Sequence, residues 1–355
     1  MNKIEIIANN KCWIEDNAKN QLNAISKLEG VERIVGLPDL HAGKIPIGIA
    51  VATKGVIYPH IIGGDIGCGM TLIKTGIKNK KFKIDRCVKK LEKLRGLEKL
   101  EIENPYEDES PIYPLGTIGG GNHFAEFQSL NKIYDKEEWD KLNICDDDIF
   151  LLIHSGSRGY GKKILDEYDV FGGLNPESEL GKAYIEKHEH AVVWAERNRK
   201  LVGDKLLDYL GYSAERECII SCNHNFLEKD GEFYIHRKGA TSTKSGAVII
   251  PGSRGDLTYL VMPKANTEKS LSSLSHGAGR KWPRSLCKGR LEKNFTLENI
   301  KSNKFNSRIV CKDVELIYQE SPKAYKKIED VIESLVEFEL VTVIATFKPV
   351  LTFKG

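Results

Sequence analysis

No apolar run in the chain approaches the ~18 residues that a membrane-spanning helix requires, and the opening MNKIEIIANNKCWIEDNAKN is too polar for a secretory signal. Both absences point to the cytoplasm. Cysteine is sparse: eight thiols are scattered through 355 residues, which without a signal peptide argues against a disulfide framework and for reduced thiols, one or two of them available to a metal. A dominant charge of one sign is also missing. Lys and Arg number 53 against 50 Asp and Glu, so a polyanionic partner must be met by a local patch and not by a global field. No linker, repeat or low-complexity tract divides the chain, and no GxxxxGK[ST] stands between a strand and a helix, which excludes an ordinary P-loop nucleotide site.

What is present is a core and the elements to build it. Hydrophobic residues make up 41% of the chain, ample for a globular protein. Strand-like runs occur at 45–53, 69–77, 149–155, 218–222, 246–252 and 340–354. Helical spacing predicts an amphipathic helix over 84–101 and a second over 179–210. A third is predicted from Ser321 as N-cap, with Pro322 in its first turn, running through AYKKIEDVIESLVEF. The acidic, proline-punctuated ENPYEDESPIYP (103–114) reads as a loop. Strands and helices interleave from end to end, which predicts a mixed α+β class and a single domain over 1–355.

Four of nine histidines sit beside Gly, Ser or Asn in strand-to-loop settings: GGGNHFAE (119–126), IHSGSRGYG (153–161), SCNHN (221–225) and LSHGAGR (274–280). GGDIGCGM (63–70) adds Asp65 and Cys68, three residues apart in a glycine-rich turn. Asp, Cys and His together can hold one metal ion or two, and ligands on short turns after strands leave the open position that a catalytic cation needs. Thiolate and imidazole donors by themselves suit zinc or iron as readily as manganese. His188 and His190, in the charged KHEHAVVWAERNRK, read as a solvated helix face, and His236 as the end of a strand.

PGSRGD (251–256) and SGSRG (155–159) place Ser and Arg on glycine-rich turns that can present N–H groups and guanidinium to phosphate. After His276 runs a basic train, Arg280, Lys281, Arg284, Lys288, Arg290 and Lys293, with Trp282 among them, which reads as a phosphate track with one stacking platform. The residues around His276 are small, leaving room for something bulky to approach its imidazole.

In series, GLPDLHAGKIPIG, GGDIGCGM, LGTIGGGNHFAE, HSGSRGYG, CNHN, HRKGAT, IPGSRGDLTYLV, LSHGAGR, ESPKAYK and KPVLTFKG resemble the RtcB family of RNA ligases, closest to the shorter members encoded beside a release-factor homologue. HAGK, Arg254 and Thr258 depart from the usual His-Pro-Gly, methionine and serine. The resemblance implies a fold of packed β-sheets flanked by helices. It also implies an enzyme that joins RNA 3′-phosphate or 2′,3′-cyclic phosphate ends to 5′-hydroxyl ends, using GTP and manganese, in repair of transfer or ribosomal RNA. His276 would then be the guanylylated nucleophile. Asp65, Cys68, His123, His154 and His224 would hold two manganese ions, with Cys68 bridging.

On the same resemblance, the guanylate site comprises Asn122, His123, Phe124, Ala125, Glu126, His224, Asn225, Pro251, Gly252, Ser253, Arg254, Thr258, His276, Gly277, Ala278, Gly279 and Lys354. Tyr325 would stack on guanine, and Glu126 would hold it. Lys354 would require an ordered C-terminal segment. Arg158, Arg254, Arg280, Lys281 and Arg284 would meet phosphates of RNA or of the triphosphate, and an activating protein such as archease is a possible partner of such an enzyme. Two other classes compete: a metal-dependent cyclic phosphoesterase, needing neither His276 nor Lys354, and a non-catalytic RNA-binding protein, from which some of the five ligands would have been lost.

Overall fold

The computed structural model describes residues 3–100, 113–169 and 172–355. Its centre is the run IFLLIHS, which forms the strand Asp148–Ser155, buried at every position. Alternation along it explains the layering: Phe150 and Leu152 face one core, while Ile149, Leu151 and Ile153 face a second. The second core is closed by the helices Ile84–Lys93 and Glu179–Leu210 through Cys87, Leu91, Val202 and Leu206.

This strand lies within an eight-stranded sheet. In spatial order its path runs Val248–Pro251, Thr258–Pro263, Val341–Lys354, Phe124–Ile133, Asp148–Ser155, Gly69–Lys78 and Glu217–Asn223, with Arg308–Cys311 added in parallel to the end of Val341–Lys354. A five-stranded sheet orders Ile4–Ile6, Val31–His41, Ile47–Lys54, Phe233–Lys238 and Asn225–Asp230. A two-stranded ribbon, Ala240–Ser242 with Ser273–Ser275, carries the chain to His276. The class is α+β, as expected, and no helix among the described residues is long and apolar enough to cross a membrane.

The helix predicted over 179–210 forms with those bounds. Ser178 caps it by accepting from Gly181 N–H, and Gly211 ends it in the left-handed region. Two other helices are corrected. The one expected over 84–101 stops at Lys93: Leu94 is extended, Gly96 takes φ 150°, and Leu97–Lys99 form a separate 3-10 turn. From Ser321, the chain makes only a 3-10 turn at Pro322–Ala324 before the helix Ile328–Glu337, because Tyr325 bridges to Arg280 and Lys326 reaches the carbonyls of Pro38 and Leu40. Of the loop predicted at 103–114, only Tyr113 and Pro114 lie within the described residues.

Two histidines are also corrected. His188 is buried, because this helix packs on almost all sides, and its Nε2 accepts from Leu227 N–H at 2.9 Å. His236 lies inside the strand Phe233–Lys238, accepting from Tyr58 N–H at 2.9 Å. His190 is exposed, as expected.

Candidate active site

Neighbouring strands deliver five donor residues to one end of the large sheet. Cys68 stands just before the strand Gly69–Lys78, His123 just before Phe124–Ile133, His154 near the end of Asp148–Ser155, and His224 just after Glu217–Asn223. Pairing fixes their register: Met70 lies opposite His154, and Phe124 opposite the same residue on its other side. The turn that carries Asp65 and Cys68 is tied to the His224 turn by Gly67 N–H to Asn225 O and His224 N–H to Cys68 O, both 2.8 Å.

The donor atoms converge. Cys68 Sγ lies 3.3 Å from His123 Nε2 and 3.2 Å from His154 Nε2, His154 Nε2 lies 3.3 Å from His224 Nε2, and His123 Nε2 lies 3.0 Å from Asp65 Oδ2. They form two triads that share one thiol: Asp65, Cys68, His123 and Cys68, His154, His224. Burial drives the imidazoles of His154 and His224 well below the ordinary histidine range, so both are neutral, and it drives the Cys68 thiol well up. Burial would raise the Asp65 carboxyl, yet the charge and hydrogen bond of His123 hold it below its usual range.

This donor set fits a cation. His154 Nδ1–H donates to Asn122 O at 3.2 Å, which turns its Nε2 lone pair into the cluster in the manner of a metal-bound imidazole. The facing nitrogen is 3.3 Å away, and Nδ1 of His224 is buried with no hydrogen-bond partner among the described residues. Two triads that share one thiol could hold one cation or two.

Beside the cluster stands His276, its ring centroid 4.8 Å from that of His224. Asp39, fully buried, accepts from His276 Nδ1 at 2.6 Å and from the His276 backbone N–H at 3.2 Å. Burial would raise the Asp39 carboxyl, but these His276 contacts and Ser275 hold it below its ordinary value, so it stays ionised. With Nδ1 occupied, Nε2 is the only ring nitrogen free to react. Asp39 was missed by sequence reasoning. The signal was available, since Asp39 is the one carboxylate in the otherwise apolar stretch Ile34–Leu40 of this strand.

His276, Asn122 and Tyr325 line both of two adjoining cavities. The inner one is walled by Phe124, Glu126, Pro251 to Arg254, Thr258, Gly277, Ala278 and Lys354, all named above from the sequence, and also by Met70, His154, Glu320 and Thr352. Glu126 accepts from Gln128 Nε2 (2.8 Å) and from the Thr352 hydroxyl, and burial raises its carboxyl. The outer cavity, of about 570 Å³, is walled by Asp65, Cys68, His224, Asn225, Lys238, Gly279 and Lys281 to Arg284. Ala125 lines neither: strand alternation turns it into the second core, and it is fully buried.

The arginines divide. Arg284 is exposed at the outer mouth, within 3.2 Å of Asn122 Oδ1, and Lys281 is exposed beside it. Arg280 is turned inward: its guanidinium donates to Glu320, Tyr325 Oη, Gln319 O and Cys287 Sγ, and stacks 4.7 Å from the Tyr325 ring. Arg254 donates to the carbonyls of Ile300 and Lys301. Arg158 lies behind the cluster, its Nη1 3.0 Å from His123 Nδ1. Arg280 has its donors engaged by neighbours, although it also lines the outer cavity; Arg254 lines the inner cavity, and its buried Nε has no hydrogen-bond partner among the described residues.

The terminal strand is ordered through Lys354, between Phe124–Ile133 on one side and Arg308–Cys311 on the other. Burial lowers the Lys354 ammonium, opposed by the charge of nearby Glu320.

Comparison with known proteins gives a consistent picture. The sequence matches the family model described as tRNA-splicing ligase RtcB over residues 21–103 and 97–355. It is 40% identical to an RNA-splicing ligase RtcB2 of Escherichia coli strain ATCC 25922, covering 98% of this chain and 95% of that one. It is 29% identical to the RNA-splicing ligase RtcB of Escherichia coli K12, covering 96% and 95%. Identity to the tRNA-splicing ligase RtcB of Nanoarchaeum equitans is 27%, covering 96% and 92%.

Proposed function

Because this chain belongs to the RtcB family, we propose that it is an RNA ligase that joins 3′-phosphate or 2′,3′-cyclic phosphate ends to 5′-hydroxyl ends through guanylate carried on His276, all in one catalytic domain. The observation that carries this reading is the Asp39–His276 pair at the junction of two cavities. It leaves one imidazole nitrogen free between a narrow inner cavity of about 70 Å³ and a wider outer cleft.

The residues suggest how the steps are divided. Asp65, Cys68 and His123, with Cys68, His154 and His224, would hold two Mn²⁺ ions, which when bound neutralise charge on phosphoryl oxygens. Guanine of GTP enters the inner cavity between Glu126 and Tyr325, with Lys354 on its far side. Neutral His276 attacks the α-phosphorus through Nε2, an N–P bond forms, and the bond to the β-phosphate breaks to release pyrophosphate. Asp39 holds the Nδ1 proton throughout and balances the charge that the ring acquires.

An oxygen of the RNA 3′-phosphate, lodged in the outer cleft near Lys281 and Arg284, then attacks the same phosphorus. The N–P bond breaks and the guanylate passes to the RNA end. The 5′-hydroxyl attacks the 3′-phosphorus, loses its proton, and GMP leaves. A cyclic phosphate is opened by water first. Lys281 and Arg284 carry charge without base readout, which suits a ligase tolerant of sequence.

Incubation with GTP labelled at the α-phosphate and Mn²⁺ tests the reading. The expected result is a protein-bound label, stable to base and labile to acid, that is lost in His276→Ala. Opening of cyclic phosphates by His276→Ala at the full rate, with no adduct in the unaltered protein, would favour the phosphoesterase instead.

A further inference from the structure

The helix Glu179–Leu210 passes beneath the donor cluster, and Arg199 on it is fully buried. Its guanidinium spans several segments at once. Nε donates to Thr71 Oγ1 at 2.9 Å, Nη1 to the carbonyls of Gly67 (2.8 Å) and Ser155 (3.1 Å), and Nη2 to Asn223 Oδ1 (2.7 Å) and Ser221 Oγ (3.4 Å). None of these acceptors is a carboxylate. The carboxylate of Glu196, which accepts from Asn223 Nδ2 at 2.6 Å, favours the charge through space without bonding to the guanidinium; a cation so deeply buried is still costly, and its retention calls for a task that an apolar side chain could not perform.

The acceptors identify that task. Gly67 precedes Cys68, Ser155 follows His154, and Asn223 precedes His224, so one planar fork ties together the backbones or immediate neighbours of one entire triad. Those three come from adjacent strands that already pair through their backbones, and the guanidinium adds a side-chain tie from the helix that reaches all three at once. The adjacent Asn198 braces the other side. Its Oδ1 accepts from Gly116 and Thr117 N–H, and its Nδ2 donates to Thr117 O and Ser155 Oγ, on the segment that leads to His123.

We infer that Arg199 is a positioning residue that sets the geometry of the Cys68, His154, His224 half of the metal centre. It fixes the spacing of the ligands and touches neither metal nor substrate. The inference rests on the two-metal reading above. Lysine in its place keeps the charge, yet supplies a single point from which three divergent acceptors cannot all be held. Loss of partners behind metal ligands typically weakens binding about 10- to 100-fold.

The test compares the full-length protein with Arg199→Lys and Arg199→Gln. Mn²⁺ uptake is followed by the electron paramagnetic resonance of free Mn²⁺, the visible d–d bands are recorded after loading with Co²⁺, and thermal melts of the metal-free proteins report the fold. The expected result is two equivalents in the unaltered protein. In both variants one equivalent should weaken about 10- to 100-fold with shifted d–d bands, and the other should be retained.

Wild-type binding of both equivalents by a folded variant overturns the inference. Equal weakening of both does the same, as does collapse of the metal-free fold in both variants, which would make Arg199 a folding residue only. If the unaltered protein takes up no Mn²⁺, the two-metal reading itself fails, a result distinguishable from failure of Arg199 alone.

Discussion

At the scale of single residues, the chemistry depends on which atom of a side chain is left free. Asp39 occupies Nδ1 of His276, so Asp39→Asn should leave the imidazole able to settle in the wrong tautomer or orientation. By analogy with other carboxylate-held histidines, formation of the labelled guanylate adduct should slow by roughly 10⁴-fold, with Mn²⁺ binding unchanged; adduct formation at the normal rate would remove Asp39 from the mechanism. Glu126 offers two acceptor oxygens, braced by Gln128 and Thr352, to the adjacent N–H donors of guanine, a pair that adenine lacks. Glu126→Gln should therefore lower the preference for GTP over ATP at least about tenfold, the scale of one hydrogen bond to a charged group, as read by competition in adduct formation. These roles were unequally legible. His276 and the five candidate metal donors stood out because small residues surround most of them in sequence, whereas Asp39 lies in an apolar stretch and Arg199 in the charged run KHEHAVVWAERNRK, which reads as a solvated helix face. Their importance comes from what they touch 237 positions away, for Asp39, or across three strands, for Arg199.

At the scale of elements, local signals were reliable where local forces decide. The helix Glu179–Leu210 begins at a serine cap and ends at a left-handed glycine, and both are written in adjacent residues. The strand Val31–His41 was missed because Gly36 and Pro38 interrupt its alternation, and Phe124–Ile133 because its first residues look like a turn motif. The predicted helix from Ser321 fails at Tyr325 to Lys327, where contacts to Arg280, Gly279 O, Pro38 O and Leu40 O hold the chain extended; tertiary contacts here override a sound local pattern. Gly279 shows how closely these segments approach. It takes φ +72°, and a Cβ there would lie 2.3 Å from Asp39 O. Gly279→Ala should cost on the order of 1–3 kcal/mol in chemical denaturation and, by pushing on the Asp39 turn, should slow guanylylation more than it weakens Mn²⁺ uptake. Unchanged stability would mean that the His276 and Asp39 segments are not locked together as described.

At the scale of the whole molecule, the five-stranded sheet is tied to the segments around it partly by histidines that hold backbone. His188 joins the long helix to the strand Asn225–Asp230, and His236 joins the strand Phe233–Lys238 to Tyr58, each by accepting an N–H. Burial lowers their imidazoles from 6.5 to about 3 and about 4. The sign follows from proton uptake. Between pH 6.5 and these values the unfolded chain binds protons that the folded chain refuses, so the stability present above pH 6.5 is lost as the pH falls toward 4 and then 3. Each tenfold loss of proton affinity on folding corresponds to about 1.4 kcal/mol, so the two together are worth several kcal/mol as an order of magnitude, a large share of the stability of an ordinary domain. Urea midpoints measured from pH 8 to pH 4 should therefore hold steady to about 6.5 and fall below it. His188→Gln, which keeps an acceptor for Leu227 N–H but cannot take up a proton, should show a shallower decline. A midpoint that stays level down to pH 4, or a slope unaffected by His188→Gln, would show that these histidines do not hold their neighbours in the neutral form assigned to them.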